Sequence, residues 1–171
     1  MLKLLGAALI LGAATWTGFE MAKPFSERPK QIRQLLAALQ SLEAEIMYGH
    51  TPLRLASKHI AEQLSDPVSS LFEAFSEKLE EGSASAGAAW EDSLRKVWSK
   101  TALKTKEFDI LRQFGETLGR HDLVSQQKHI KLALTHLETE EAEANLAQAK
   151  NEKMVKSLGF LAGLLLVLLL M

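Results

Sequence analysis

The sequence predicts an all-α protein, a six-helix bundle flanked by N- and C-terminal transmembrane helices. Three observations predict it. Through the middle of the chain apolar residues recur at three- and four-residue spacing, the period of a helix with one buried face. No segment alternates apolar and polar residues as a half-buried strand does. From Leu4 to Phe19, and again from Ser157 to Met171, there is no charged side chain, while nearly every ionisable residue lies between these runs. The 171 residues therefore divide into a span at 4–19, a bundle at 20–154 and a span at 155–171.

The middle part, about 135 residues, is long enough for one core and too short for two. A net charge of -1 supplies no basic field for nucleic acid. The absence of cysteine excludes a disulfide scaffold, a thiol nucleophile and a zinc-thiolate site.

The first uncharged run would reach about 24 Å as a helix, short of the roughly 30 Å hydrocarbon core but workable with Lys3 snorkelling and Trp16 and Phe19 at an interface. A cleaved signal peptide is the alternative, and Thr15, Trp16 and Thr17 make a poor small-x-small cleavage site. The second run, with Val155 and Lys156, reaches about 26 Å. Lys23, Arg28, Lys30 and Arg33 follow the first run, and Lys150, Lys153 and Lys156 precede the second. The positive-inside rule then places the bundle in the cytoplasm with both tips outward. Gly159 with Gly163, Ala8 with Gly12, and Ala14 with Gly18 form small-x-x-x-small pairs that would let membrane helices approach closely, between the two spans or with a partner.

In the bundle, the first helix runs from about Glu27 to Tyr48, with Ile32, Leu35, Leu36, Leu39, Leu42 and Ile46 on one face and Gly49 ending it. Thr51-Pro52 and Asp66-Pro67 are each read as an N-cap followed by proline at the first helical position. They open a helix with Leu53, Ala56, Ile60 and Leu64, and another with Val68, Leu71, Phe72, Phe75 and Leu79. A turn at 81–87 leads to a fourth helix carrying Trp90, Leu94, Val97 and Trp98. The two tryptophans are assigned to the core, with contact to a partner as the alternative. The fifth helix carries Phe108, Leu111, Phe114 and Leu118 and is closed by Gly119. The sixth starts at an Asp122 cap and carries Leu123, Ile130, Leu134 and Leu137. No proline or glycine interrupts 122–156, so one continuous helix is expected to run from Asp122 into the membrane. Beyond Leu137 its stripe is expected to lapse, with Glu141 falling on it. Ala142, Ala144, Leu146, Ala147 and Ala149 are left to pack against the start of the first helix.

Little of the chain suggests bond chemistry. His50, His59, His121, His129 and His136 include no pair at i,i+3 or i,i+4. His129 and His136 stand roughly 10 Å apart along one helix flank, too far for direct ligation of one ion. No nucleotide-binding, hydrolase or zinc-protease motif is present. Neither a cofactor nor an enzymatic activity is expected. Glu138, Glu140, Glu141 and Glu143 form an acidic cluster that would bind a cation or a basic partner, or else stand as a solvated face balanced by Lys150 and Lys153.

The order of signals carries a resemblance. Gly49 precedes Thr51-Pro52-Leu53, Gly82-Ser83 precedes an amphipathic helix, and Phe114-Gly115-Glu116-Thr117-Leu118-Gly119 precedes the last long helix. This resembles the cytoplasmic domain repeated in the F proteins of type II secretion and type IV pilus systems, which are inner-membrane platforms without catalytic activity. Over its whole length the chain resembles the stage III sporulation protein AB family of spore-forming Bacillales. Leu118 to Asp122 and Gln126 to Ile130, then the Glu-rich helix and the apolar end, carry that likeness most strongly. The resemblance implies a non-catalytic scaffold in a secretion-like complex joining mother cell and forespore. It would lie in the mother-cell-derived outer forespore membrane, with a cytoplasmic secretion-type ATPase and channel subunits as partners. Only one bundle copy is present where F proteins usually carry two, so association of copies is a further expectation. The alternative is a membrane-bound helical adaptor or sensor regulating another membrane protein.

Overall fold

The computed structural model describes residues 26–82, 85–119 and 123–170. Beyond residue 150 side chains are described only at Asn151, Lys153, Met154, Val155, Ser157, Leu158 and Leu161. Among the described residues there are six helices: α1 (described from 26 to 47), α2 (Leu53–Gln63), α3 (Val68–Glu80), α4 (Ala86–Trp98), α5 (Thr105–Thr117) and α6 (Leu123–Leu170). Among the described residues there is no strand, so the all-α reading holds. Among those residues, too, no helix is long and apolar enough to cross a membrane. The run 4–19, and most side chains of 157–171, lie outside them.

Helices α2 to α6 pack each against the next, and α1 closes the arrangement by running antiparallel to α6. Gln127 Nε2 donates to Glu43 Oε1 at 2.7 Å near one end of that contact, and Arg33 Nη1 meets Glu141 Oε1 at 3.3 Å near the other. In helix α1, Ile32, Leu35, Leu39 and Leu42 are fully buried. Pro29 lies buried near the start of the described part of α1.

The centre of the core is Trp90 on α4, fully buried. Its ring meets Phe72, Phe75 and Phe114 edge-on at centroid distances of 5.5, 5.1 and 5.4 Å, the favoured geometry for aromatic quadrupoles. The indole N–H would be costly to bury alone, and it donates to the Leu111 carbonyl at 2.8 Å. A Cβ on Gly115 would come within 2.1 Å of Trp90 Cδ1, so α5 can approach the indole only because that position is glycine. Trp98, by contrast, is half-buried at the rim, edge-on to Phe108 at 4.8 Å.

Several local expectations are corrected. Thr51 does not cap α2; its hydroxyl donates back to Glu45 Oε2 at 2.5 Å, and Pro52 takes the cap position without a side-chain bond. Likewise Pro67 caps α3, while Asp66 accepts from Ser70 Oγ at 2.5 Å. The left-handed residue after α1 is His50 (φ 47°) rather than Gly49. Gly49 is needed for closeness instead, since a Cβ there would lie 2.8 Å from the Glu45 carbonyl oxygen. Gly119 does adopt positive φ (72°) just after α5, as a helix-ending glycine should. The Asp122 cap lies outside the described residues.

Helix α6 is continuous over 48 residues, about 72 Å at ~1.5 Å per residue. Its buried stripe does not stop at Leu137. It continues at the same alternating spacing of three and four through Glu140 and Ala144, both buried. Glu140, not Glu141, therefore occupies the stripe. Of the residues expected to pack against the start of α1, Ala144 is buried, Ala147 is partly covered, and Ala142, Leu146 and Ala149 are exposed.

Candidate functional site

Three helices converge on one buried ion cluster at the end of the bundle where α6 leaves it. Arg28 extends the α1 stripe of Ile32, Leu35, Leu39 and Leu42 one turn toward the N-terminus. Glu107 stands in the first turn of α5, in phase with Leu111, Phe114 and Leu118. Glu140 follows Leu137 on α6. All three side chains are buried, Glu107 completely.

The geometry closes on Arg28. Its Nε donates to Glu107 Oε1 at 2.8 Å, and its Nη2 lies 2.6 Å from that same oxygen. Nη2 also donates to Glu140 Oε2 at 3.0 Å. The second oxygen of Glu107 accepts the backbone N–H of Lys104 at 2.9 Å, an N-terminal cap for α5. Lys106 supplies the second positive charge, 3.3 Å from Glu140 Oε1 and 2.9 Å from Glu143 Oε2. Beside Arg28, the Gln31 side chain accepts the Ala102 N–H at 2.8 Å and ties α1 to the α4–α5 connection. Burying ions is tolerable only when charge and hydrogen bonds are both satisfied, and the four ionic groups meet that condition together.

The acidic cluster on α6 thus serves the fold. Glu140 and Glu143 share Lys106, Glu141 faces Arg33, and Glu138 is exposed. The balancing charges come from α1 and α5, not from Lys150 and Lys153 below. The hydrogen bond to Glu143, then that to Glu140, holds the Lys106 ammonium above the ordinary lysine range. The same contact with Lys106 holds the Glu143 carboxyl below the usual carboxylate range. At the opposite end, hydrogen bonds from Thr51 and then His59 hold Glu45 below its ordinary value.

Arg28, Lys106 and Glu107 were absent from the acidic-cluster expectation. The signal was present: each of Arg28, Glu107 and Glu140 is a charged residue standing in phase with an apolar stripe. The apolar spacing on α5 points to Phe108 as the first stripe residue, but Phe108 is only half-buried and Glu107 is the true first member. Among the described residues no group of three or more potential ligands is placed to hold a metal ion. His129 and His136 line one cleft with Gln113 and Glu116 between α5 and α6. Ala8, Gly12, Ala14 and Gly18 lie outside the described residues. Gly159 and Gly163 lie within α6, on a stretch whose surroundings are not described.

The fold and cluster define a class first: an all-α bundle whose last helix projects far beyond the core and is clasped to the first by buried charge. The stage III sporulation protein AB family model matches residues 3–171, and the chain belongs to that family. A stage III sporulation protein AB of Bacillus subtilis (strain 168) is 72% identical over 171 residues, covering 100% of both chains. The solved structure of a stage III sporulation protein AB matches with a TM-score of 0.70 at 68% identity, covering 72% of this chain and 98% of that one. The chain is therefore a sporulation protein.

Proposed function

We propose that the protein is a non-catalytic, membrane-anchored platform subunit of a secretion-like complex linking mother cell and forespore during endospore formation. The observation that carries this reading is α6, one unbroken helix leading from a bundle tied by buried charge into a run without a charged residue. A helix anchored at its far end and held by the α1–α5–α6 clasp keeps the bundle at a fixed height and attitude. That is what a platform must do, and it needs no bond chemistry. The uncharged run at 4–19 is the second anchor. The lysines and arginines flanking both runs orient the bundle toward the mother-cell cytoplasm, with the anchors in the outer forespore membrane. The resemblance to secretion F proteins read from the sequence points to the proposed partners: a cytoplasmic ATPase and membrane channel subunits, with two or more copies standing in for the missing second bundle. Family membership in a sporulation group is in keeping with this setting.

Affinity capture of the full chain from sporulating cells after mild crosslinking tests the proposal. Recovery of a secretion-type ATPase together with membrane channel subunits is expected. Recovery of a kinase or a transporter in their place would establish the adaptor reading.

A further inference from the structure

The buried stripes of α1 and α6 share one spacing. On α1, Arg28, Ile32, Leu35, Leu39, Leu42 and Ile46 are all buried and are separated alternately by four and three residues. On α6, the buried positions Gln126, Ile130, Ala133, Leu137, Glu140 and Ala144 follow the same order of fours and threes. Each is a seven-residue repeat, the pattern of a paired-helix seam. Within these two stripes the charged members are Arg28 and Glu140. They meet, Arg28 Nη2 donating to Glu140 Oε2 at 3.0 Å.

Aliphatic seams of equal period do not choose their own alignment. Sliding one helix past the other by seven residues, about 10.5 Å, keeps both stripes face to face. Connections of four to six residues align each of α2 to α6 with the next. No such connection joins α1 to α6, whose polar contacts bridge 84 to 112 residues of sequence. The contacts flanking the seam are weak guides. Arg33 and Lys131, which face Glu141 and Glu43, are 53% and 63% exposed, and exposed ion pairs hold little.

We infer that Arg28, Glu107 and Glu140 form an alignment key that fixes where α1 lies along the α5–α6 pair. In the observed alignment one guanidinium reaches both carboxylates. A slide of seven residues sets Arg28 against Ala133 or Ala147 instead. Glu107 is then left buried without its cation, and Glu140 keeps only Lys106. An uncompensated buried charge is costly, so the slid alignments are disfavoured. Stability alone does not account for the cluster. Well-packed apolar side chains in place of a buried ion set commonly leave a protein as stable or more so. What the apolar set loses is the choice of one alignment, as when a buried polar residue is removed from a coiled-coil seam.

The native chain contains no cysteine, and positions 37 on α1 and 150 on α6 are exposed. Spin labels there read the alignment, because the two sites are offset along the helix axes. The full chain carrying A37C/K150C, in detergent micelles, is expected to give one narrow distance distribution. Adding R28M/E107Q/E140L should leave helicity and cooperative melting in place. The distribution should nevertheless widen about twofold or split, with new distances displaced by about 5 Å or more, the pitch of one turn. E140Q, which leaves Arg28 with Glu107, guards against failure of the triple variant to fold, and a smaller displaced population is expected from it. A single narrow distance, unchanged in every folded variant, would overturn the inference. So would a broad distribution in A37C/K150C alone. The platform reading can fail while this result stands, since the measurement needs no other protein.

Discussion

Arg28 reaches both buried carboxylates, and among the described pairs it is the partner of fully buried Glu107, so its loss exposes the cost of burying that charge. Arg28→Met is expected to destabilise the protein by about 3–5 kcal/mol, the usual penalty for orphaning buried charge. Removing the stranded charges as well, in R28M/E107Q/E140L, should restore most of that. Urea unfolding of the three proteins in detergent micelles checks both parts. Gly115 makes an independent case. Alanine there gains up to ~1 kcal/mol in helix propensity, but its Cβ would overlap the Trp90 indole. The overpacking cost of about 1–3 kcal/mol should win, and G115A is expected to melt at lower temperature with altered tryptophan fluorescence. Arg28 could have been read from sequence, since its spacing from Ile32 continues the stripe. Gly115 could not, because nothing in the local chain says which ring will arrive above it.

At the scale of elements, the α1–α2 turn is held by polar contacts rather than by the cap its sequence suggests. Glu45 accepts from Thr51, and the His59 ring lies 3.4 Å away. Its carboxyl is more acidic folded than unfolded, so the stabilisation is present above the ordinary value of 4.5 and disappears as pH falls through the lowered folded value. Unfolding curves should therefore show wild type more stable than Thr51→Val at neutral pH, with the gap closing under acid. Helix α6 is the other element with a distinct consequence. Ala147→Pro removes one backbone hydrogen bond and clashes with the preceding turn, kinking the helix. Spin labels at positions 125 and 157 should lie about 48 Å apart in the straight helix. In A147P the distance distribution should shorten and broaden while the bundle stays folded.

For the whole molecule, the decisive property is that first and last helices share one face. The described start of α1 and the far part of α6 are thereby brought to the same end of the bundle, next to the ion cluster. This arrangement makes the orientation testable with one probe. A cysteine placed at exposed Glu73 on α3 should resist a membrane-impermeant maleimide in intact cells and react fully after lysis. Labelling from outside would reverse the orientation and with it the platform reading.

Helical class, helix count and the uninterrupted α6 were legible in the chain, because helical period, propensity and the absence of proline or glycine act locally. The stripe residues Ile32, Leu35, Leu39, Leu42, Ile130 and Leu137 were read correctly for the same reason. The acidic cluster was visible as composition, but its role was not: charge on a helix surface is solvated unless another element covers it, and only the fold brings Arg28, Arg33 and Lys106 to it. The caps at Thr51 and Asp66 failed similarly, as Glu45 and Ser70 compete for those side chains. What the sequence determined by itself is a set of helices with apolar faces and two uncharged ends, since these depend on spacing along one chain. Tertiary structure alone decided which charges are buried together and which glycine admits Trp90, since each depends on what a distant segment brings within a few ångströms.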